Sequence, residues 1–216
     1  MTSRRVTLTF DNGPTPGVTE RVLDILGQER LHSTFFVIGR KLADPAAAAL
    51  ARETHSAGHW IGNHTLTHSV ALGDRPDAAY AATEIGETQA RIGNLSHRDK
   101  LFRPYGRSGQ IGPHLFSRAA VEYLLAHRFR TILWNCVPGD WRDPDGWVET
   151  CIEQVRNREW SVVVLHDIAN GCLARLPELL HRLAELDVTY EQDFPHSVTL
   201  TRAGEIVSLS PDCVRD

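Results

Sequence analysis

What this 216-residue chain lacks narrows it first. No stretch approaches the ~20 consecutive apolar residues of a membrane-spanning helix, so no membrane partner is expected. Its 27 acids and 23 bases are interspersed and leave a net charge of -4. There is no basic run to follow a phosphate backbone, and nucleic acid is not an expected partner. The four cysteines, Cys136, Cys151, Cys172 and Cys213, form no CxxC pair and no disulfide framework of a small secreted domain. They are expected as free thiols in or near the core. The opening MTSRRVTLTF passes from two arginines directly into a strand-like alternation, without the apolar region of a signal peptide. The expectation is a cytoplasmic protein, although a secreted chain trimmed of its leader would read the same. With no repeat, low-complexity tract or long linker, one domain is expected over residues 1–216. Nothing in the sequence sets an oligomeric state.

What is present alternates. VTLTF, STFFVIG, HWIGN, KLFRP, RTILW and VVVLHD read as strands, and amphipathic segments of helical length lie between them, among them TERVLDILGQE, PAAAALARETHSAG and LARLPELLHRLAEL. Strands alternating with helices imply βα units and a mostly parallel sheet, open or closed into a barrel. Asp44-Pro45 reads as a helix cap and first position, Gly58 as a helix end, and Ala203-Gly204 as the bend of a late hairpin.

Polar residues collect where strands end: Asp11 and Asn12, then His64 and His68, Arg103, Asp140 and His166. In a parallel α/β architecture the carboxyl ends of strands share one face, where ligands bind. His64 and His68 in NHTLTH have the i, i+4 spacing that brings two imidazoles to one side, on a helical turn or a tight loop. Each feature also has a plain structural reading. With eleven histidines such a pair arises by chance, Asp-Asn-Gly is a turn, and His166 after four apolar residues could be a core histidine with Asp167 capping the next segment.

Their order decides between these readings. TFDNGP, NHTLTH, FRPYG, GDW and LHD resemble, in sequence order, the five motifs of the polysaccharide deacetylases, the NodB-homology family, over about residues 7–167. The resemblance implies a distorted, incomplete (β/α) barrel with mostly parallel strands, which binds one divalent metal at the carboxyl ends of those strands. It implies a hydrolase that removes N-acetyl groups from amino-sugar polymers, with some relatives opening cyclic amides or ureides. Carried onto this chain, it makes Asn12, His64 and His68 the metal ligands and Asp11 the general base paired with Arg103. His166 becomes the general acid, oriented by Asp140. Tyr105 falls in the oxyanion loop, and Trp141 and Leu165 line the substrate.

Three positions depart from the pattern. Asn12 stands where the family usually has a second Asp, and a neutral amide oxygen binds zinc more weakly than a carboxylate does. FRPYG is one residue shorter than FRPPYG, and Val137 replaces the first Asp of the fourth motif. The expectation is therefore a metal-dependent hydrolase, with zinc, cobalt or manganese held weakly, acting on an N-acetylated amino-sugar oligosaccharide or glycoconjugate. Two other readings stay open: a hydrolase of a cyclic amide, imide or ureide with little metal dependence, and a catalytically silent carbohydrate-binding homologue.

Overall fold

The computed structural model describes residues 3–215; Met1, Thr2 and Asp216 of the expected 1–216 domain lie outside the described residues. Its strands are β1 (Arg5–Asp11), β2 (Thr34–Val37), β3 (Trp60–Asn63), β4 (Leu101–Phe102), β5 (Phe116–Ser117), β6 (Arg130–Ile132), β7 (Trp160–His166), β8 (Thr189–Tyr190), β9 (Thr199–Arg202), β10 (Glu205–Ile206) and β11 (Val214–Arg215). The main sheet runs β10-β9-β6-β4-β3-β2-β1-β7, with β8 beside the start of β1. Every pairing from β7 through β1 to β6 is parallel, and β9 and β10 add antiparallel strands at the far edge. The two ends of the parallel run meet at an isolated bridge between Cys136, just past β6, and Val163 in β7, beside which the Asn135 side chain hydrogen-bonds to Trp160 and Val162. The sheet thus curls into a barrel without closing, as expected for a distorted, incomplete (β/α) barrel.

Helices α1 (Thr19–Gln28), α2 (Pro45–Ser56), α3 (Ala78–Ala81), α4 (Thr88–Ile92), α5 (Arg118–Ala126), α6 (Trp147–Arg156) and α7 (Leu176–Ala184) connect the strands. Their local signals are conventional. Asp44 accepts the Ala46 N–H at 2.9 Å ahead of Pro45. Leu176, Leu179, Leu180 and Leu183 make one buried stripe on α7. Ala203 and Gly204, both with positive φ, turn β9 into β10 as a two-residue hairpin. No described helix is long and apolar enough to cross a membrane.

Two-residue periodicity in β1 and β7 decides what faces the barrel interior. On β1, Val6, Leu8 and Phe10 join the core under α1, α6 and α7, together with Val163 and Leu165 of β7. The alternate set, Thr7, Thr9 and Asp11 with Val162, Val164 and His166, takes the other face. One side of each strand therefore packs the helices, and the other ends in a polar residue at the mouth of the barrel. The four cysteines are free and buried, Cys136 and Cys151 with sulfurs 4.0 Å apart.

Candidate active site

The strand ends open into a cavity of about 240 Å³ lined by Asp11, Asn12, His64, His68, Tyr105, Trp141 and His166, among others. Arg103 and Asp140 reach it through Asp11 and His166, and Leu165 does not line it.

Asp11 and Arg103 form a buried ion pair. Arg103 Nη1 donates to Asp11 Oδ1 at 2.8 Å and to Thr9 Oγ1 at 2.7 Å, and Nη2 donates to the Leu133 carbonyl at 3.1 Å. Arg103 is fully buried, and its guanidinium lies over the Phe36 ring. Burial lowers its pKa, a shift that the Asp11 charge and hydrogen bond oppose. The second Asp11 oxygen stays free, 3.6 Å from His64 Nε2.

Opposite, His166 and Asp140 form the second pair. Asp140 Oδ1 lies 2.8 Å from His166 Nδ1, and Oδ2 accepts the His166 backbone N–H at 2.8 Å. Because both carboxylate oxygens are engaged by one residue, ring and backbone are fixed together and Nε2 is left for the cavity. Burial lowers the His166 pKa, but the Asp140 hydrogen bond and charge, with Asp11 and Asp167 behind them, outweigh it, so the net shift is upward. Trp141 meets the ring edge-on at 4.5 Å.

His64 and His68 stand on a loop, not a helical turn. Thr65 and His68 have positive φ, which folds the loop back and brings the imidazole centroids to 4.7 Å. His64 Nδ1 faces the Arg103 carbonyl at 2.9 Å, so that nitrogen carries the proton and Nε2 keeps its lone pair. Desolvation, chiefly, pushes both histidines down to about 3, so they are neutral. Asn12, with φ of 77°, lines the same cavity, and its buried Oδ1 has no hydrogen-bond partner among the described residues. An orphaned amide oxygen and two neutral imidazoles on one cavity are a donor set that fits a divalent cation. Among the described residues, no three His, Cys, Asp or Glu side chains gather as a metal cage.

Leu165 does not reach the cavity. Its side chain is fully buried in the helix-facing core, and Val164 lines the cavity in its place, with Trp134, Val137 and Trp141. The reason is strand alternation: His166 and Val164 share a face, and Leu165 takes the other. Leu165→Ala is therefore expected to cost roughly 2–5 kcal/mol of stability with unchanged KM. Val164→Ala, at a side chain that is buried but borders the cavity, should also cost some stability, and unlike Leu165→Ala it should lower kcat/KM roughly tenfold. Denaturant midpoints and steady-state kinetics on both variants check this.

Two further residues escaped the sequence reading. Glu84 is buried, with Oε2 accepting the Leu66 and Thr67 N–H groups at 3.0 Å and Oε1 accepting the Thr67 hydroxyl at 2.8 Å, so it ties down the histidine loop. It lies in a π-helical turn, Ala82–Glu87, between α3 and α4. A lone carboxylate on the buried stripe of Ala81, Ile85 and Thr88 was the signal that could have found it. Trp134 donates its indole N–H to the Gly109 carbonyl at 2.9 Å and supports Gly106, and nothing in RTILW marks it for that role.

The family model described as polysaccharide deacetylase matches residues 1–122. The chain belongs to the polysaccharide deacetylase family. As a member it is a hydrolase acting on amide bonds. It is 32% identical over 171 residues to a chitooligosaccharide deacetylase of Rhizobium leguminosarum bv. trifolii, covering 78% of this chain and 73% of that protein. It is 28% identical to the peptidoglycan-N-acetylmuramic acid deacetylase PdaC of Bacillus subtilis, over 83% of this chain but 36% of that protein. Among solved structures it resembles a family 4 carbohydrate esterase from Streptomyces lividans in complex with acetate, with a TM-score of 0.73 and 27% identity over 92% of this chain and 97% of that one.

Proposed function

We propose that this polysaccharide deacetylase removes acetyl groups from N-acetylated amino-sugar oligosaccharides or glycoconjugates, with Asp11 as base and His166 as acid. One observation carries the reading: two oppositely built pairs, Asp11 with Arg103 and His166 with Asp140, face one cavity. The relatives named as chitooligosaccharide and peptidoglycan deacetylases support the substrate class.

Asn12, His64 and His68 would hold a divalent cation, zinc, cobalt or manganese. Such a cation makes water nucleophilic near neutral pH and draws electron density from the amide carbonyl. The chain's own groups do the rest. Asp11 takes the water proton on its free oxygen while Arg103 holds the other. As the carbon–nitrogen bond breaks, His166 delivers a proton from Nε2 to the leaving amine, and Asp140 stabilises the imidazolium that is consumed. The acetyl methyl fits the apolar wall of Val164, Trp134 and Trp141, and Tyr105, whose ring lies 4.3 Å from His68, covers the cation side.

The test is acetate release from N-acetylglucosamine oligomers with added zinc, cobalt or manganese. Activity abolished by chelation and restored by metal is expected. Acetate release unaffected by strong chelation would remove the cation from the reading. Asn12→Asp restores a charged oxygen at a neutral position and is expected to tighten zinc binding by roughly 10- to 100-fold, read by calorimetry. An unchanged affinity would take Asn12 out of the ligand set.

A further inference from the structure

Asp167 takes no part in the chemistry above, yet it is fully buried against the reaction site. It follows His166 at the end of β7. Its Oδ2 accepts the Thr19 hydroxyl at 2.6 Å, and Thr19 Oγ1 accepts the Thr15 N–H at 2.7 Å. Lys41 donates to Thr15 Oγ1 at 2.8 Å, close enough for its charge to act on Asp167. Oδ1 has no partner among the described residues.

The carboxyl also fills the space under Gly13. A Cβ placed on Gly13 would sit 2.0 Å from Asp167 Oδ2 and 2.4 Å from Cγ and Oδ1. Gly13 has no positive φ to explain a glycine, so this close approach accounts for it. On its other side the same turn is held by β2: the Asn12 N–H donates to the Phe36 carbonyl at 3.2 Å, and the Ile38 N–H donates to the Gly13 carbonyl at 3.0 Å. The Asp11-Asn12-Gly13 turn is therefore clamped between β2 and the Asp167 carboxyl, which is one residue from His166.

We propose that Asp167 is a positioning residue that sets the place of Asn12 and Asp11 relative to His166, by bearing on Gly13 and anchoring to Thr19. Its bearing on the cation rests on the proposed ligand set; its bearing on the turn does not. Removing the carboxyl leaves a void under Gly13 and lets the turn sample other conformations. Asp167→Asn keeps the shape and an oxygen for the Thr19 hydroxyl. Burial pushes the carboxyl up to about 7, so a neutral isostere is a close substitute near that pH.

The experiment compares the parent, Asp167→Ala, Asp167→Asn and Gly13→Ala by amide hydrogen exchange in NMR, zinc calorimetry and steady-state kinetics. In Asp167→Ala, exchange at Asn12 and Ile38 is expected to accelerate several-fold relative to Leu8 and Val163. Zinc affinity and kcat should each fall about tenfold with KM little changed. Asp167→Asn should restore all three quantities, and Gly13→Ala should reproduce the loss. A merely stabilising Asp167 would accelerate exchange at all four amides alike and leave the zinc affinity of the folded protein unchanged, which overturns the proposal. So does a parent-like Asn12 amide in Asp167→Ala or, if that variant does not fold, in Gly13→Ala. A parent that binds no zinc would defeat the ligand set, and the exchange contrast would still decide the role of Asp167.

Discussion

Asp11→Asn is expected to lower kcat by about 10²–10⁴-fold with little change in KM, because an amide cannot take the proton that Asp11 Oδ2 is placed to accept. The same change should destabilise the protein by about 3 kcal/mol, measurable by urea unfolding. The reason is Arg103. Its guanidinium is fully buried, and Asp11 is its only carboxylate partner within an ion-pair distance among the described residues. Taking that charge away leaves a buried cation with neutral acceptors alone: the substituted amide oxygen, the Thr9 hydroxyl and two backbone carbonyls, Leu133 and Ile132. Those acceptors keep the loss toward the low end of what breaking a buried pair costs. The two effects separate the roles of the residue: stability reports the pair with Arg103, and turnover reports the free oxygen. A folded variant with parent-like kcat would remove Asp11 as the base.

Much of this arrangement was legible because it is written in period two and in strand ends. In VTLTFD the alternation itself states that Asp11 lies on the face of Thr7 and Thr9, away from Leu8 and Phe10. VVVLHD carries no such signal. Both faces of β7 are covered, so Val162 to Leu165 are all apolar, and the side facing the cavity follows only from the phase that His166 sets. Leu165 is placed at the substrate by the resemblance alone, and the strand phase turns its side chain into the helix-facing core. The two histidines were legible as a pair, but their loop was not, since its fold depends on positive φ at Thr65 and His68 and on Glu84, eighteen residues from Leu66. Asp167 reads locally as a cap. Its partners Gly13, Thr19 and Lys41 lie more than 120 positions away, and such a contact leaves no mark in a single sequence.

His166→Ala is expected to cost about 10²–10⁴ in kcat, and the pH dependence of the parent should show why. The folded protein holds the His166 proton more tightly than a free imidazole, whose ordinary value is 6.5. The imidazolium form, which is the acid, is therefore retained above pH 6.5, and the alkaline fall in kcat should lie on that side. Stability has the same sign. The contribution of the pair is fully present below pH 6.5 and is lost as pH rises through the folded value, because only the folded state favours the bound proton. Asp140→Asn tests the cause. Asp140 accepts two N–H groups from His166, one on each oxygen. An asparagine has one acceptor oxygen and must turn its NH₂ toward a donor. Burial is already the largest single influence on the ring, and with the carboxylate gone its main opponents are lost, which favours the neutral form. The alkaline limb should then move below pH 6.5, with most of the lost activity recovered at acid pH. An alkaline limb that stays where the parent has it would assign that ionisation to some group other than His166.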